Sequence, residues 1–210
     1  MAVITMVIDH YGKIVAPDWY FPTHMIGRAA FPLFAWIIAN RLAIRPDLAM
    51  QYIRWLLPWA VVSQPAFFLA GREWYEPNIM FELLAGVVIV YAIQVYGRTA
   101  RTLLIGALLT TLGWFFDYGP AGVLSIPLLF LAAQNSAPRA MAWLALIALA
   151  VNLPAADLQG WLAAFAALGA PVIALLSLSL AGYSLPRLPK PGFYLFYPLH
   201  LLVLAALSQL

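Results

Sequence analysis

Few residues in this 210-residue sequence can do chemistry, and most of them stand inside apolar stretches: the neighbours Asp9 and His10, Arg28, Glu82, Asp117, and Tyr197 with His200. A neutral imidazole near pH 7 accepts a proton from an attacking group, which is what general-base catalysis requires, so His10 is a candidate base. Neighbouring helical residues point about 100° apart, so Asp9 does not readily orient His10. Asp9 shares a face with Lys13 at i+4, and that spacing predicts an ion pair between them. Arg28 lies near the start of its apolar stretch, where a charge costs at least about 2.5–3.5 kcal/mol on insertion scales, and it needs compensation unless it snorkels to the headgroups. Pro32 has no N–H for the carbonyl of Arg28, and Gly27 lets another helix approach.

The other candidates follow the same logic. Glu82 falls one turn into an apolar stretch that follows Asn78, and Asp117-Tyr118-Gly119 marks a tight turn with Gly122 three residues on. Tyr197 and His200 share a helical face, and Pro198 frees the carbonyl of Tyr194 as an acceptor for His200. The aromatic run Phe193, Tyr194, Phe196, Tyr197 reads as an interfacial belt. His10, His24 and His200 are far apart along the chain and no HExxH or CxxC occurs, so no metal site is expected. GxSxG and glycine-rich phosphate loops are absent as well.

The elements that must position these groups are set by composition. The sequence is 65% apolar and only 9% charged, against about 25% charged in a soluble domain. It predicts an all-α, polytopic transmembrane helical bundle, a single integral membrane domain over residues 1–210. At roughly 20 apolar residues per bilayer-crossing helix there is room for about eight to ten spans. Apolar stretches punctuated by Pro, Gly and charge predict helices at 1–16, 25–42, 52–70, 78–96, 101–116, 119–134, 139–153, 160–181 and 193–209, about nine in all. The first reaches only about 24 Å, short of the roughly 30 Å hydrocarbon core, and without a basic n-region or cleavage site it is expected to be retained. No internal repeat is visible.

Without cysteine, disulfides, thiolate metal sites and a cysteine nucleophile are excluded. A net charge of +3 does not point to nucleic acid, because no basic stretch is interleaved with aromatics and the cations belong to loops. Arg41, Arg45, Arg54, Arg98, Arg101, Arg139, Arg187 and Lys190 fall at the even-numbered connections; Lys13 and Arg72 fall at the others with Asp18, Glu73, Glu76, Asp117 and Asp157. The positive-inside rule then places the N-terminus in the cytoplasm.

The strings MVIDH at 6–10, IGRAAFPLFAW at 26–36, NIMFELLAG at 78–86, DYGPAGV at 117–123 and YLFYPLH at 194–200, in this order and nearly end to end, resemble the TraX family, including its TrbP-like conjugation members. The matching positions are Asp9, His10, Gly27, Arg28, Phe31, Pro32, Asn78, Asp117, Tyr118, Tyr197, Pro198 and His200. The resemblance implies a multi-pass enzyme of the bacterial inner membrane, similar to membrane acyltransferases, that acetylates the N-terminal amine of a conjugative pilin using acetyl-coenzyme A. Two positions depart from the family pattern: Glu82, where a hydroxyl residue is common, and Gln64, usually apolar. Related conjugation systems instead join the pilin ends into a cyclic peptide, and the sequence leaves both products open.

Under that reading an N-terminal amine, with a pKa near 7.7–8.0, needs a base to hold it unprotonated. His10 is the candidate base and Arg28 the candidate oxyanion donor, with Asp9, Asp117 or Glu82 orienting His10 or holding the ammonium. Asn78, Tyr118, Tyr197 and His200 are expected to bind substrate, and Arg41, Arg45 and Arg54 to hold the phosphates of coenzyme A. The donor is then cytoplasmic while the base is in the outer half, a tension that cyclisation avoids. A non-catalytic assembly factor or a solute carrier is the alternative from another class. An acyl-transfer site is expected to bring His10, Arg28 and Asp117 within hydrogen-bonding reach of one polar cavity, with distances that are loose before substrate binds.

Overall fold

Long runs of Ala, Leu, Ile, Val and Phe leave little but helix available to a backbone that must satisfy its own N–H and C=O groups in an apolar environment. A computed structural model describes residues 2–73, 75–152, 158–179 and 190–209, and among these there is helix and no strand. The helices are α1 (Ala2–Ile14), α2 (Tyr20–Gly27), α3 (Ala30–Ile44), α4 (Ala49–Leu69), α5 (Ile79–Tyr96), α6 (Ala100–Leu112), α7 (Gly119–Ala133), α8 (Ala137–Ala150), α9 (Leu158–Ala167), α10 (Gly169–Ser179) and α11 (Lys190–Leu207). Short 3-10 turns at Pro17–Trp19, Pro46–Leu48 and Gly113–Phe115 lie between them. Asp157, Arg187 and the side chains of Lys190 and Phe193, which entered the charge and belt expectations, lie outside the described residues.

Two of the nine expected stretches are divided, and proline explains both. Pro32 and Pro171 each stand third in their helix, α3 and α10, in the first turn where an N–H has no intrahelical partner. The expected helix over 25–42 therefore becomes α2, which starts at Tyr20, and α3, with the break at Arg28 and Ala29. The stretch over 160–181 breaks at Leu168 in the same way. Pro58, Pro65, Pro127 and Pro198 remain inside their helices.

Among the described helices only α5 is long and apolar enough, by length and composition, to cross a bilayer. Helices of 13 to 15 residues such as α6 and α7 reach about 20–23 Å at 1.5 Å per residue, less than the hydrocarbon core. They are apolar nonetheless, and α6 turns Leu103, Leu104 and Leu108 outward.

Packing closes a ring: α1 touches α3, α3 packs on α7, α7 on α5, α5 on α4, α4 on α11, and α11 returns to α1. Leu42, Val87, Val90, Ile126, Leu129, Phe130 and Leu201 are fully enclosed by it. The α1–α2 hairpin is held close by two glycines. A methyl group at Gly12 would overlap the side chain of Thr23, and one at Gly27 would overlap Asp9. Gly12→Ala is therefore expected to destabilise the chain by about 1–3 kcal/mol through overpacking, read as a lowered midpoint of thermal unfolding in detergent. Adding Thr23→Ala should recover part of the loss.

Candidate functional site

Asp9 is buried at 6% exposure, where an unpaired carboxylate would be costly. It accepts from Nζ of Lys13 at 3.2 Å, the pair that the i+4 spacing predicts, and from Nδ1 of His24 at 2.9 Å. Spacing along the chain marks His24 only as a candidate metal ligand; its signal as a partner is its place one turn before Gly27 on a helix that returns along α1. With Nδ1–H committed to Asp9, Nε2 of His24 is left to accept from the Tyr20 hydroxyl, 3.4 Å away.

His10 and His200, 190 residues apart, meet where α1 packs on α11. Nδ1 of His10 lies 2.8 Å from Nε2 of His200, and the rings stack with centroids 5.0 Å apart. The proton positions follow from the last acceptor. The carbonyl of Phe196 has no proton to give, so His200 donates from Nδ1 at 3.1 Å, and its Nε2 carries a lone pair. His10 must then donate from Nδ1, which leaves its own Nε2 unprotonated. His10 is half-buried, so this nitrogen belongs to a ring that is not sealed off. Proline-freed Tyr194 is not the acceptor that His200 uses: the carbonyl four residues back lies under its side chain, and the one six back is on another face.

Arg28 turns inward. Its Nη1 donates to Oδ1 of Asn152 at 3.1 Å, its guanidinium lies 5.7 Å from the Tyr118 ring centroid, and its buried Nε–H has no partner among the described residues. Phe31 stacks on Tyr118 at 4.1 Å. Glu82, at 1% exposure, accepts from the backbone N–H of Tyr118 through Oε2 at 3.4 Å, while Oε1 has no partner among the described residues. Oε1 lies against Gly122, in space that any side chain there would fill.

Asp117 accepts from Arg72 in the connection between α4 and α5, and Arg72 also faces Glu76 at 3.7 Å. Burial works against the Arg72 charge, but Asp117 and Glu76 outweigh it and hold its pKa above the usual value. Asp9, Arg28, Asp117 and Glu82 all act electrostatically on Tyr118, and Arg72 and Asp9 on His10. These groups form one polar assembly in which, among the described residues, no hydrogen bond joins His10, Arg28 and Asp117 to one another. The expected direct convergence is replaced by nearer partners: His200, Asn152 and Arg72.

Asn78 caps α5. Its Oδ1 accepts from the N–H of Met80 at 3.0 Å, and its Nδ2 donates to the Ala60 carbonyl and to Oε1 of Gln64, each at 2.7 Å. Gln64 also takes the Asn78 N–H at 3.0 Å and donates to the Glu76 carbonyl at 2.6 Å, so this departure from apolar character locks the start of α5 onto α4. Tyr197 is buried and engages the backbone of Ile79. The groups expected to bind substrate are thus engaged within the protein, Asn78 most completely.

Arg41, Arg45 and Arg54 are exposed at the far ends of α3 and α4. Arg45 donates twice to Asp47, at 2.9 and 2.7 Å, and holds that carboxyl below its usual range. The 15 residues of α3 separate this cluster from Arg28 by about 22 Å. A cleft of about 430 Å³ runs between α1 and α11 and is lined by Val7, Leu195, Phe196, Leu199 and Val203, with His200 in its wall.

A family model described as TraX protein matches residues 1–208. Two curated relatives named Protein TraX, from Escherichia coli and from Escherichia coli strain K12, are each 35% identical over 217 aligned positions, which cover 99% of this chain and 84% of the relative. No solved structure matches the chain.

The order of protons along Phe196, His200 and His10 is testable by nitrogen NMR of the full chain labelled with ¹⁵N-histidine. His10 is expected as the Nδ1–H tautomer; His200→Ala, by removing its acceptor, is expected to mix the two tautomers.

Proposed function

The chain belongs to the TraX family, and on that footing we propose that it is a multi-pass enzyme of the bacterial inner membrane that acetylates the N-terminal amine of a conjugative pilin. The observation that carries this reading is the ordered pair His10–His200, which presents an unprotonated Nε2 on a half-buried ring. The outward apolar face of α6 and the run of apolar helices support a bilayer setting, and the alternation of cations supports a cytoplasmic N-terminus.

In this mechanism the pilin amine attacks the acetyl carbonyl while Nε2 of His10 takes its proton. The C–N bond forms, the C–S bond of the thioester breaks, and the imidazolium returns the proton to the departing thiolate. His200 is a positioning residue that fixes the tautomer of His10. Arg28, whose buried Nε–H has no partner among the described residues, is the donor for the tetrahedral oxyanion. Asp9 is held by Lys13 and His24, and Asp117 by Arg72, so Glu82, whose Oε1 has no partner among the described residues, is the carboxyl group left to engage the incoming amine.

Coenzyme A phosphates suit the exposed guanidinia of Arg41 and Arg54, with Arg45 already engaged by Asp47. The distance between these cations and Arg28 favours a second reading, head-to-tail cyclisation of a pilin peptide, in which the acyl group is the pilin's own carboxyl end and no cytoplasmic donor is needed.

Purified protein reconstituted in liposomes with pilin and acetyl-coenzyme A separates these outcomes by mass spectrometry. A gain of one acetyl group is expected; a loss of one water marks cyclisation. Pilin bound at unchanged mass marks a non-catalytic assembly factor. His10→Ala is expected to lower the rate by at least about 10²-fold and Arg28→Gln by about 10²–10³-fold, each with unfolding temperature preserved. Undiminished modification in His10→Ala removes it as the base.

A further inference from the structure

A second cleft, of about 250 Å³, opens beside the α4–α5 connection, and no role assigned above uses it. Its wall is made by Phe68, Tyr75, Phe81 and Phe116, together with Glu76, Gln64 and Pro77. Four aromatic side chains and one carboxylate in so small a space are the chemistry of ammonium recognition: the ring quadrupoles attract a cation, and the carboxylate neutralises it. The polar groups sort the same way. The Gln64 amide spends its oxygen on Asn78 and one of its two N–H groups on the Glu76 carbonyl, so most of its polar capacity is used within the protein. Among the described residues the Glu76 carboxylate is held only by the loose 3.7 Å approach of Arg72, which is itself paired with Asp117.

The setting narrows the ligand. Trp19 at 67% exposure, Tyr75 at 59% and Trp114 at 77% follow α1, α4 and α6 at the same end of the bundle, as an interfacial aromatic belt does. Asp18, Glu73, Glu76 and Asp117 share that end with Lys13 and Arg72, which disfavours an anionic headgroup. We propose that the Phe68–Tyr75–Phe81–Phe116 cleft, with Glu76 as its counter-charge, binds the ammonium headgroup of a membrane phospholipid. This rests on the membrane placement given above and is independent of the acyl chemistry, so it stands or falls apart from the role of His10. A chain that stays soluble and monodisperse without detergent would sink the membrane placement itself.

The test uses the full chain in nanodiscs made from equal parts of phosphatidylethanolamine and phosphatidylglycerol, with retained lipid read by native mass spectrometry. Wild type is expected to retain phosphatidylethanolamine over phosphatidylglycerol by about tenfold, a size typical of a partly desolvated cation–π and carboxylate site. Glu76→Gln should erase that preference; its backbone carbonyl, the acceptor for Gln64, is unchanged. If Glu76→Gln fails to fold, Tyr75→Ala at the exposed rim provides the same readout. Choline should compete for the site and its neutral isostere 3,3-dimethylbutanol should not. Equal retention of both lipids, or a preference unchanged in the variants, overturns the proposal. So does competition with choline by a peptide bearing a free amino terminus in the absence of any lipid preference, which would make the cleft a peptide site.

Discussion

A charged or amide group enclosed by apolar helices is cut off from water and must be met by partners inside the protein. That constraint organises this molecule. Asp9 is met by His24 from α2, Arg28 by Asn152 from beyond α8, His10 by His200 from α11, and Asn78 by Gln64 from α4. Each link ties elements remote along the chain, so the polar groups set which helices may be neighbours, and the apolar surfaces only hold them there. Glycine enters for the same reason: Gly27 admits Asp9 to its partners, and Gly122 gives Glu82 a place to lie.

Much of the helical layout was legible because apolar runs end at proline, glycine and charge. The stretches expected at 78–96 and 119–134 correspond to α5 and α7 within a residue at either end. The divided stretches were half legible. The missing N–H of Pro32 was recognised beside Arg28, but its outcome depends on which turn of a helix the proline occupies, and only the three-dimensional path of α2 fixes that. Lengths were the weaker inference, since a composition rich in Leu and Ala does not say how far each run continues before it bends.

For the polar assembly, local spacing was a good guide and long-range pairing was not. The Asp9–Lys13 pair follows from a four-residue step on one helix. The meeting of His10 with His200 follows from α1 closing the ring against α11, which no periodicity encodes. Asn78 stands just before an apolar helix, where an amide that caps looks the same in sequence as one that awaits a ligand; the polar Gln64 one helix earlier is what distinguishes them. Arg28 and Asp117 look like partners in sequence, yet each has a nearer one: Asn152 and the Tyr118 ring for Arg28, and Arg72 for Asp117.

The imidazole bridge between α1 and α11 has a consequence for biosynthesis. Its two halves leave the ribosome 190 residues apart, so the early half waits through the synthesis of every intervening segment before its proton is fixed. Until then the ring is free to take either tautomer. The order of protons arrives with the late helix in a single step, and a translation product cut short of it leaves the early imidazole without its acceptor.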